Sequence, residues 1–281
     1  MSENARVSGH AARRRFGQNF LIDPYIIARI VAAIRPQADD VMVEIGPGLG
    51  ALTVPLLEHL DRLHAMEIDR DLAARLREHY DPARLTLYES DALEFDFGKL
   101  CAENRPLLRV VGNLPYNIST PLLFHLACFA GRLRDLTFML QKEVVMRMVA
   151  APGTADYGRL SVMLQYRFRM ERLFDVPPGA FRPAPKVTSS IVRMTPLPAA
   201  ECQARDEALL GRIAAAAFSQ RRKTLRNTLR GILSEPGFAT LGIDPGLRAE
   251  RLAVADFVAM ANYLDAQAAR AQTSNSSTTG A

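Results

Sequence analysis

The sequence contains no tryptophan, only three cysteines, and no apolar run long enough to cross a membrane. Its cysteines, Cys101, Cys128 and Cys202, are far apart and form no CxxC pair, so we expect reduced thiols. The five histidines lack HExxH or any other metal-binding spacing, and no metal is predicted. The amino-terminal segment MSENARVSGHAARRRFGQ also lacks the apolar centre of a secretory signal. These absences predict a cytoplasmic chain that does not associate with a membrane.

The composition is that of a folded protein with a moderate basic charge. A chain of 281 residues with 48% hydrophobic residues can bury one large core and a smaller second one. The formal charge is +5, and basic residues gather at residues 13–15 and again at 221–230. Such clusters are typical of a surface that binds a phosphate backbone. They also fit an arginine-rich composition without a binding role, so charge alone leaves nucleic-acid binding open.

Strand and helix signals alternate from residue 24 to residue 196. Apolar residues at helical spacing over 24–34, with Asp23 as N-cap and Pro24 in the first turn, predict a first helix. Strands are predicted in VMVEIG, LHAMEID, LTLYESD, LRVVGNLPY, DLTFML and LSVMLQYRF, with VTSSIVRMTP closing the sheet, and helices are predicted between them. The alternation predicts an α/β fold of right-handed βαβ units, whose parallel sheet binds ligands at the carboxyl ends of its strands.

The composition changes after Pro196 and Pro198, where strand signals stop and alanine-rich, arginine-rich helical sequence begins. We therefore predict a main domain over 1–198 and a smaller helical domain over 199–270, which carries the second basic cluster. The final stretch QTSNSSTTGA is polar and rich in small residues, so a disordered tail is predicted over 271–281.

The segment VMVEIGPGLGALT (41–53) combines a buried strand, a glycine-rich turn and the start of a helix. Gly46, Gly48 and Gly50 would let the backbone approach a ligand closely. Glu67 follows the next strand about 20 residues later, where a carboxylate can accept bonds from both ribose hydroxyls. Asp91 follows the third strand, where it could accept a bond from an adenine amino group. An adenosyl cofactor is expected, but the glycines also satisfy the dinucleotide pattern, so NAD remains an alternative.

The segment GNLPYN (112–117) ends the fourth strand and predicts a reaction. An adenine amino nitrogen is a poor nucleophile because its lone pair is delocalised, so the enzyme must hold its two N–H groups with acceptors. The side-chain oxygen of Asn113 and the backbone carbonyl of Leu114 can accept these bonds, while Pro115 fixes the turn. Tyr116 offers a ring for stacking against an extracted base. A proline turn with a purely structural role would have the same backbone.

Seven segments, spread over nearly the whole chain, resemble the KsgA (RsmA) family of ribosomal RNA adenine dimethyltransferases. They are RRRFGQNFLID (13–23), VEIGPGLGALT, MEID, SDAL, GNLPYNISTPLL, FRPAPKVTSSIV (181–192) and FSQRRKTLRNTL (218–229). The resemblance implies a Rossmann-like class I methyltransferase sheet, mostly parallel with its last strand reversed, followed by a small all-α domain. It implies S-adenosylmethionine as cofactor. The implied substrate is two adjacent adenines in a hairpin near the 3′ end of 16S rRNA, each dimethylated on N6 within the immature small ribosomal subunit.

The same resemblance assigns cofactor-binding roles. Asn19 and Leu21 would close over the cofactor, and the Gly46–Gly48 turn would border its methionine part. Glu67 would bind the ribose and Asp91 the adenine ring, with Asn113 reaching both cofactor and substrate.

It also assigns the target-base site. Asn113, Leu114 and Tyr116 would handle the adenine, and Phe181 would stack on its other face. From the residue pattern alone, Phe181 would be a core aromatic.

The segment SQRRKTLRNTLR predicts a basic helix in which arginines at i, i+4 spacing form one stripe opposite Leu225 and Leu229. The predicted RNA-binding residues are Arg221, Arg222, Lys223, Arg226 and Arg230. They would position ribosomal RNA through its phosphates without reading bases, so binding should weaken steeply with salt. A solvated face without a partner is the alternative.

Three other functions stay open at this stage. The erythromycin-resistance methyltransferases modify an adenine of large-subunit RNA with the same core motifs, although RRRFGQNFL, NISTPLL and QRRKTLRNTL favour the small-subunit family. A nonenzymatic assembly factor would not need Asn113, Pro115 and Tyr116 together. An NAD-dependent dehydrogenase would leave NLPY unexplained. No heptads or other self-association signals are present, so we expect a monomer.

Overall fold

The structure is a computed structural model that describes residues 6–7, 10–11, 18–100 and 107–278, with side chains described within 18–100 and 107–270. It divides into two compact units. The described residues up to Met146, together with Phe168–Pro196, form the first unit. Arg147–Arg167 and the chain from Leu197 onwards form the second. The prediction of a single break near residue 198 is therefore wrong for Arg147–Arg167, which fold with the helices.

Seven strands form the sheet of the first unit. They are β1 (Met42–Ile45), β2 (Leu63–Met66), β3 (Leu85–Tyr88), β4 (Leu108–Asn113), β5 (Leu133–Gln141), β6 (Phe168–Val176) and β7 (Ser189–Pro196). Their order is β3-β2-β1-β4-β5-β7-β6, and β1 to β5 pair in parallel. Strand β7 runs antiparallel to both neighbours. This confirms the predicted mostly parallel sheet with a reversed last strand, although β7 lies inside the sheet and β6 is its edge.

One predicted strand is wrong. The apolar residues of LSVMLQYRF belong to a helix, α6 (Arg159–Gln165), and strand β6 begins only at Phe168. The helix starts where the Ser161 hydroxyl accepts a bond from the Gly158 N–H, 3.0 Å away. Alternation over so short a run does not separate a buried helix from a strand.

Four helices belong wholly to the first unit, and a fifth begins there and ends in the second. They are α1 (Pro24–Ile34), α2 (Thr53–Leu57), α3 (Arg70–His79), α4 (Ser119–Ala127) and α5 (Lys142–Val149). Helix α1 has the predicted bounds and cap, since the Asp23 carboxylate accepts bonds from the N–H groups of Tyr25 and Ile26. Two short antiparallel pairs complete the strands, Phe20–Leu21 with Phe181–Arg182 and Arg6–Val7 with His10–Ala11.

The strand ends on one edge of the sheet bring the predicted site together. Gly46 N–H donates to the Met66 carbonyl at 2.9 Å, and Glu67 N–H donates to the Tyr88 carbonyl at 3.0 Å. These bonds align the turns that follow β1, β2 and β3. Between β1 and β4 the approach is close, because a Cβ at Gly112 would lie 2.4 Å from the Ile45 carbonyl oxygen. The glycine of GNLPY therefore lets two parallel strands deliver their ends to one place.

A buried ion-pair network holds the opposite edge. The Arg109 guanidinium bonds to the carboxylates of Asp40 at 2.5 Å and Asp135 at 2.9 Å, and it also donates to the carbonyls of Ile34 and Arg35. Its side chain is 5% exposed. A buried charge with this many partners ties β4, β5 and the end of α1 together.

The second unit is helical. Besides α6 it contains α7 (Glu207–Ala217), α8 (Leu225–Thr228), α9 (Glu235–Leu241) and α10 (Val254–Thr278), which surround a separate apolar core. Helix α10 continues to Thr278, so the prediction of a disordered tail from residue 271 is wrong as far as that residue. A helix already formed adds residues at little cost. Residues 279–281 lie outside the described part. Within that part, no helix is long and apolar enough to cross a membrane.

The basic segment does not form the predicted continuous helix. Arg222 lies in a turn, and Thr224 has an extended backbone with φ −78° and ψ 164°. The N–H groups of Leu225 and Arg226 donate to the carbonyls of Leu247 and Pro245. These bonds replace the i−4 carbonyls that a continuous helix would supply, so the predicted i, i+4 arginine stripe is wrong.

Candidate functional site

A cavity opens at the carboxyl ends of the parallel strands of the first unit. It is lined by residues 18–21, 44–49, 51, 52, 66–68, 72, 90–92 and 113–118. The structure thus brings together nine of the predicted site residues: Asn19, Leu21, Gly46, Gly48, Glu67, Asp91, Asn113, Leu114 and Tyr116. Four separate strand ends and the segment before α1 contribute to this one cavity. That is the location expected for a ligand of an open parallel sheet.

The glycine-rich turn forms one wall. Gly46 and Gly48 have φ values of +69° and +58°, which L-residues with a Cβ rarely adopt. A Cβ at Gly48 would also lie 3.3 Å from the ring of Phe20. The turn therefore exposes backbone to the cavity, and the Phe20 ring packs against it.

Glu67 is the most strongly held acid of the site. Its two carboxylate oxygens accept bonds from Gly48 N–H at 3.1 Å and Asp69 N–H at 2.9 Å, and the residue is 6% exposed. Burial raises the pKa of Glu67, and the two backbone N–H bonds oppose that rise. Each oxygen keeps a second lone pair. The carboxylate is fixed in orientation and able to accept two further hydroxyl donors from the cavity.

Asp91 stands after β3 in the adjoining turn. One of its oxygens accepts from Leu93 N–H at 2.9 Å, which fixes the side chain and leaves the second oxygen for a donor in the cavity. Neighbouring Ser90 also lines the cavity, and its hydroxyl is a buried polar group without a partner among the described residues. Both residues follow the third strand, where an adenine amino group was predicted to bind.

The side-chain amide of Asn113 is fixed by the segment before α1. Its Nδ2 donates to the backbone carbonyl of Asn19 at 3.1 Å. A carbonyl only accepts, so the nitrogen of the amide must face Asn19 and the oxygen must face the other way.

Tyr116 is held from the neighbouring strand ends. Its hydroxyl bonds to the Ser189 hydroxyl at the start of β7, 2.8 Å away. Its backbone carbonyl accepts from the Ser119 hydroxyl at 3.1 Å, which steadies the turn into α4. Burial raises the pKa of Tyr116, against the Ser189 bond, so the ring carries a neutral phenol. Leu114 N–H donates to the Met139 carbonyl, which leaves the turn supported from β5.

Phe181 does not line the cavity. Its ring is 1% exposed and belongs to the core cluster, and its backbone pairs with Leu21. A buried ring has no free face for a base, so this structure does not support the predicted stacking role. The residue pattern, which placed it among core aromatics, describes its position better than the resemblance does.

Several polar residues of the cavity were missing from the sequence prediction, and two of them bond to other side chains. Gln18 bridges to the Asp69 carboxylate at 3.0 Å, next to Glu67. Glu44 is buried in β1, where it accepts a 2.7 Å bond from the Thr53 hydroxyl. Burial raises the pKa of Glu44 to about 7, against the Thr53 bond and with help from the Glu67 charge. An acid inside the apolar run VMVEIG was the signal available in the sequence, because strands buried on both faces rarely carry a charge.

The predicted RNA-binding residues all lie on the second unit and are exposed: Arg221, Arg222, Lys223, Arg226 and Arg230. Arg226 pairs with Glu235 at 2.7 Å, whereas Arg221 donates to the Ala155 carbonyl. A carbonyl does not neutralise a guanidinium, so Arg221 keeps its full charge. Arg13–Arg15 lie outside the described residues. Within those residues, no cluster of histidine, cysteine, aspartate or glutamate could hold a metal ion.

Comparison with known proteins identifies close relatives. A family model described as ribosomal RNA adenine dimethylase matches residues 9–266. A ribosomal RNA small subunit methyltransferase A from Aromatoleum aromaticum is 71% identical, over 94% of this chain and 98% of that protein. A protein of the same name from Thiobacillus denitrificans is 64% identical, over 91% of this chain and 98% of that protein.

Two solved structures have the same fold over most of the chain. A dimethyladenosine transferase from Plasmodium falciparum superposes with a TM-score of 0.69 at 25% identity, covering 86% of this chain and 95% of that one. The 23S rRNA methyltransferase ErmE superposes with a TM-score of 0.62 at 26% identity, covering 88% of this chain and all of that one.

Proposed function

The chain belongs to the ribosomal RNA adenine dimethylase family, and on this premise we propose that it dimethylates the N6 amino groups of two adjacent adenines in a hairpin near the 3′ end of 16S rRNA. It is a methyltransferase that uses S-adenosylmethionine. Its small-subunit relatives are far more similar in sequence than the large-subunit enzyme, at 71% against 26% identity. This difference favours the small subunit over the large one as the source of the substrate. We place its action on the immature small subunit in the cytoplasm, as a monomer.

The single observation that carries the proposal is the orientation of the Asn113 amide. Its nitrogen bonds to the Asn19 carbonyl, so its oxygen is the end offered to a substrate amino group. An NAD-dependent dehydrogenase would have no use for an acceptor held in this way beside a cavity for an adenosyl group.

The cavity residues fit S-adenosylmethionine. The fixed Glu67 carboxylate suits the two ribose hydroxyls, and the remaining Asp91 oxygen suits an adenine amino group. The acidic lining, which includes Glu44, suits a cofactor that carries a sulfonium and an ammonium charge. When bound, S-adenosylmethionine supplies a methyl group activated by its sulfonium centre.

We assign Asn113 and the Leu114 carbonyl the task of accepting the two N–H bonds of the target amino group. Holding both hydrogens in acceptors favours a pyramidal amino group, in which the lone pair is localised on the nitrogen and no longer delocalised into the ring. The contribution is one of orientation and of electrostatic stabilisation as the nitrogen becomes cationic. After transfer, that cationic nitrogen is strongly acidic and releases its proton to water. An amide is therefore sufficient, and no side chain needs to act as a strong base.

Tyr116 is the ring on which we expect the extruded adenine to stack. The bond to Ser189 holds the phenol against rotation, so the ring presents a fixed face to the cavity. Base–aromatic stacking does not depend on which atoms the base edge carries, so it can serve an unmodified and a singly methylated adenine alike. The second methylation needs this tolerance.

The test is methylation of purified particles in vitro. Small subunits from a strain without this protein, large subunits from the same strain, and wild-type small subunits serve as three substrates with radiolabelled S-adenosylmethionine. We expect four methyl groups per deficient small subunit, located on two adjacent adenines by mass spectrometry, and none on the other two substrates. Methylation of large-subunit RNA instead would refute the proposed substrate.

A further inference from the structure

The short antiparallel ribbon formed by Phe20–Leu21 and Phe181–Arg182 carries an exposed arginine opposite a phenylalanine that lines the cavity. In this ribbon Arg182 pairs with Phe20 across two antiparallel segments. Directly opposed residues of such a pair share a face and lie about 5 Å apart at their Cα atoms. Phe20 lines the cavity and packs against the glycine turn at Gly48. Arg182 is exposed, and its backbone is paired with that of Phe20, which forms this wall of the cavity.

The chain after Arg182 leads from this wall to the one that contains Tyr116. It ends at Ser189, whose hydroxyl bonds to Tyr116 at 2.8 Å. The carbonyl of Thr188, one residue earlier, accepts from Lys142 N–H, which anchors the segment to the end of β5. The segment therefore joins the Phe20 wall to the Tyr116 wall, and Arg182 stands at its beginning.

Two other exposed cations near this edge share one counter-ion, whereas Lys186, further along the segment, forms no salt bridge with a described side chain. Lys142 and Arg172 both pair with the Asp175 carboxylate, at 2.7 Å and 2.8 Å. Arg182 forms no salt bridge with any side chain in the described part of the chain, so its charge is available to a ligand. The guanidinium group is suited to a phosphate because its planar N–H donors match two phosphate oxygens at once.

The charge of the cavity explains why a cation is needed at the rim. The lining includes the carboxyl groups of Glu44, Glu67 and Asp91, which suits a cationic cofactor and disfavours phosphate. A neutral adenine can enter such a cavity, whereas the phosphates on either side of its ribose are repelled from it. They must be held where the acidic interior ends.

We propose that Arg182 binds a backbone phosphate next to the target adenosine and holds it at the rim while the base enters the cavity. The inference rests on the proposed function, since it concerns the RNA of that reaction. It adds a substrate contact on the catalytic unit, separate from the basic residues of the helical unit. Arg182 positions the nucleotide and takes no part in the chemistry of the amino group.

The test compares Arg182→Ala and Arg182→Lys with Arg62→Ala. Arg62 is also an exposed arginine of the first unit, but it precedes β2, at the edge of the sheet away from the cavity. Methyl transfer to small subunits lacking the modification gives KM and kcat over a range of potassium chloride concentrations. Binding of the same subunits is measured separately by filter retention, and S-adenosylmethionine affinity by calorimetry.

We expect Arg182→Ala to raise KM and the subunit Kd about tenfold, as for loss of a hydrogen bond to a charged group. The slope of log Kd against log salt should become shallower by about 0.7 to 0.9, the contribution of one phosphate contact. Arg182→Lys should keep the slope and recover only part of the affinity. Arg62→Ala should match the wild type, and cofactor affinity should be unchanged in all three variants.

The inference is overturned if Arg182→Ala keeps the wild-type salt slope, if Arg62→Ala loses as much, or if cofactor affinity falls with RNA affinity. The proposed function fails separately, if the wild type transfers no methyl group to small subunits. In that case a shallower slope for Arg182→Ala in the binding assay would still support the phosphate contact, and an unchanged slope would still refute it.

Discussion

The amide nitrogen of Asn113 lies 3.1 Å from the backbone carbonyl oxygen of Asn19, 94 positions earlier in the chain. This bond joins the segment before α1 to Asn113, the residue that we assign to the target amino group. The side-chain amide of Asn113 is therefore oriented by a backbone carbonyl. A substitution of the Asn19 side chain would leave that carbonyl in place.

Substitution Asn113→Ala should abolish measurable methyl transfer while leaving subunit binding within about twofold. Loss of one preorganised hydrogen-bonding group in an active site costs about 100- to 1000-fold in kcat. Phosphate contacts elsewhere carry most of the RNA affinity. Single-turnover transfer and filter binding measure the two effects separately.

The variant Asn113→Asp tests whether the bond to Asn19 is needed to place the acceptor. It keeps an acceptor but replaces the donor to Asn19 with a carboxylate that faces the carbonyl oxygen, so we expect a misplaced side chain and a kcat close to that of the alanine variant. Wild-type activity in this variant, or joint loss of transfer and binding in Asn113→Ala, would contradict the roles assigned here.

The strands that position this site were predictable because each is an apolar run that ends in a turn residue with a chemical role. Glu67, Asp91 and Asn113 follow three such runs, and parallel strands bring such ends to one edge. The sequence could not indicate the Asn19 contact, because a backbone carbonyl leaves no mark on residue type. For Phe181 the residue pattern indicated the core, but it could not exclude the stacking role that the resemblance implied, since a core ring and a stacking ring share the same apolar signal.

The errors in the helical unit have a different cause. Periodicity over SQRRKTLRNTLR was correct for Leu225 and Leu229, which are both buried. It could not reveal that the carbonyls of Pro245 and Leu247 take the N–H groups that a continuous helix needs. Those residues lie some 20 positions away in the chain, and tertiary contacts of this kind override local propensity.

Substitution Gly112→Ala should destabilise the first unit by about 1 to 3 kcal/mol or more. The new Cβ would lie 2.4 Å from the Ile45 carbonyl oxygen, and backbone in the middle of a sheet cannot move aside at little cost. Gly131→Ala is the control, because a Cβ there meets nothing within 4 Å. Urea unfolding of both variants checks the difference, and equal midpoints would show that β1 and β4 can separate.

Substitution Glu44→Gln should stabilise the protein at neutral and higher pH. The folded-state pKa of Glu44 is raised to about 7 from an ordinary value of 4.5. The folded protein therefore holds a proton that the unfolded chain releases, so stability falls as pH rises from 4.5 to about 7. The loss amounts to a few kcal/mol. Glutamine keeps an acceptor for the Thr53 hydroxyl and removes the buried charge.

Thermal unfolding between pH 4.5 and pH 8 tests this expectation. The gain of Glu44→Gln over the wild type should be small at pH 4.5 and largest at pH 8. Glu58→Gln, a change at an exposed glutamate of the same unit, should follow the wild-type curve throughout. A Glu44→Gln gain that does not depend on pH would mean that the wild-type carboxyl does not titrate in this range.

Replacing Arg221, Arg222 and Lys223 together with alanine should weaken binding to small subunits and make the salt dependence shallower by about 2 to 3 in log–log slope. Arg226→Ala should change that slope much less than each of the three residues does on average, because Glu235 already neutralises Arg226 at 2.7 Å. Glu235→Gln tests the same point, because it leaves the Arg226 charge unpaired and should therefore tighten binding. The double variant Glu235→Gln with Arg226→Ala should lose that gain. Filter binding across a salt series separates these cases. If the triple variant kept the wild-type slope, the exposed cations of residues 221–223 would be a solvated surface with no phosphate contacts, and RNA would have to be held by other parts of the chain.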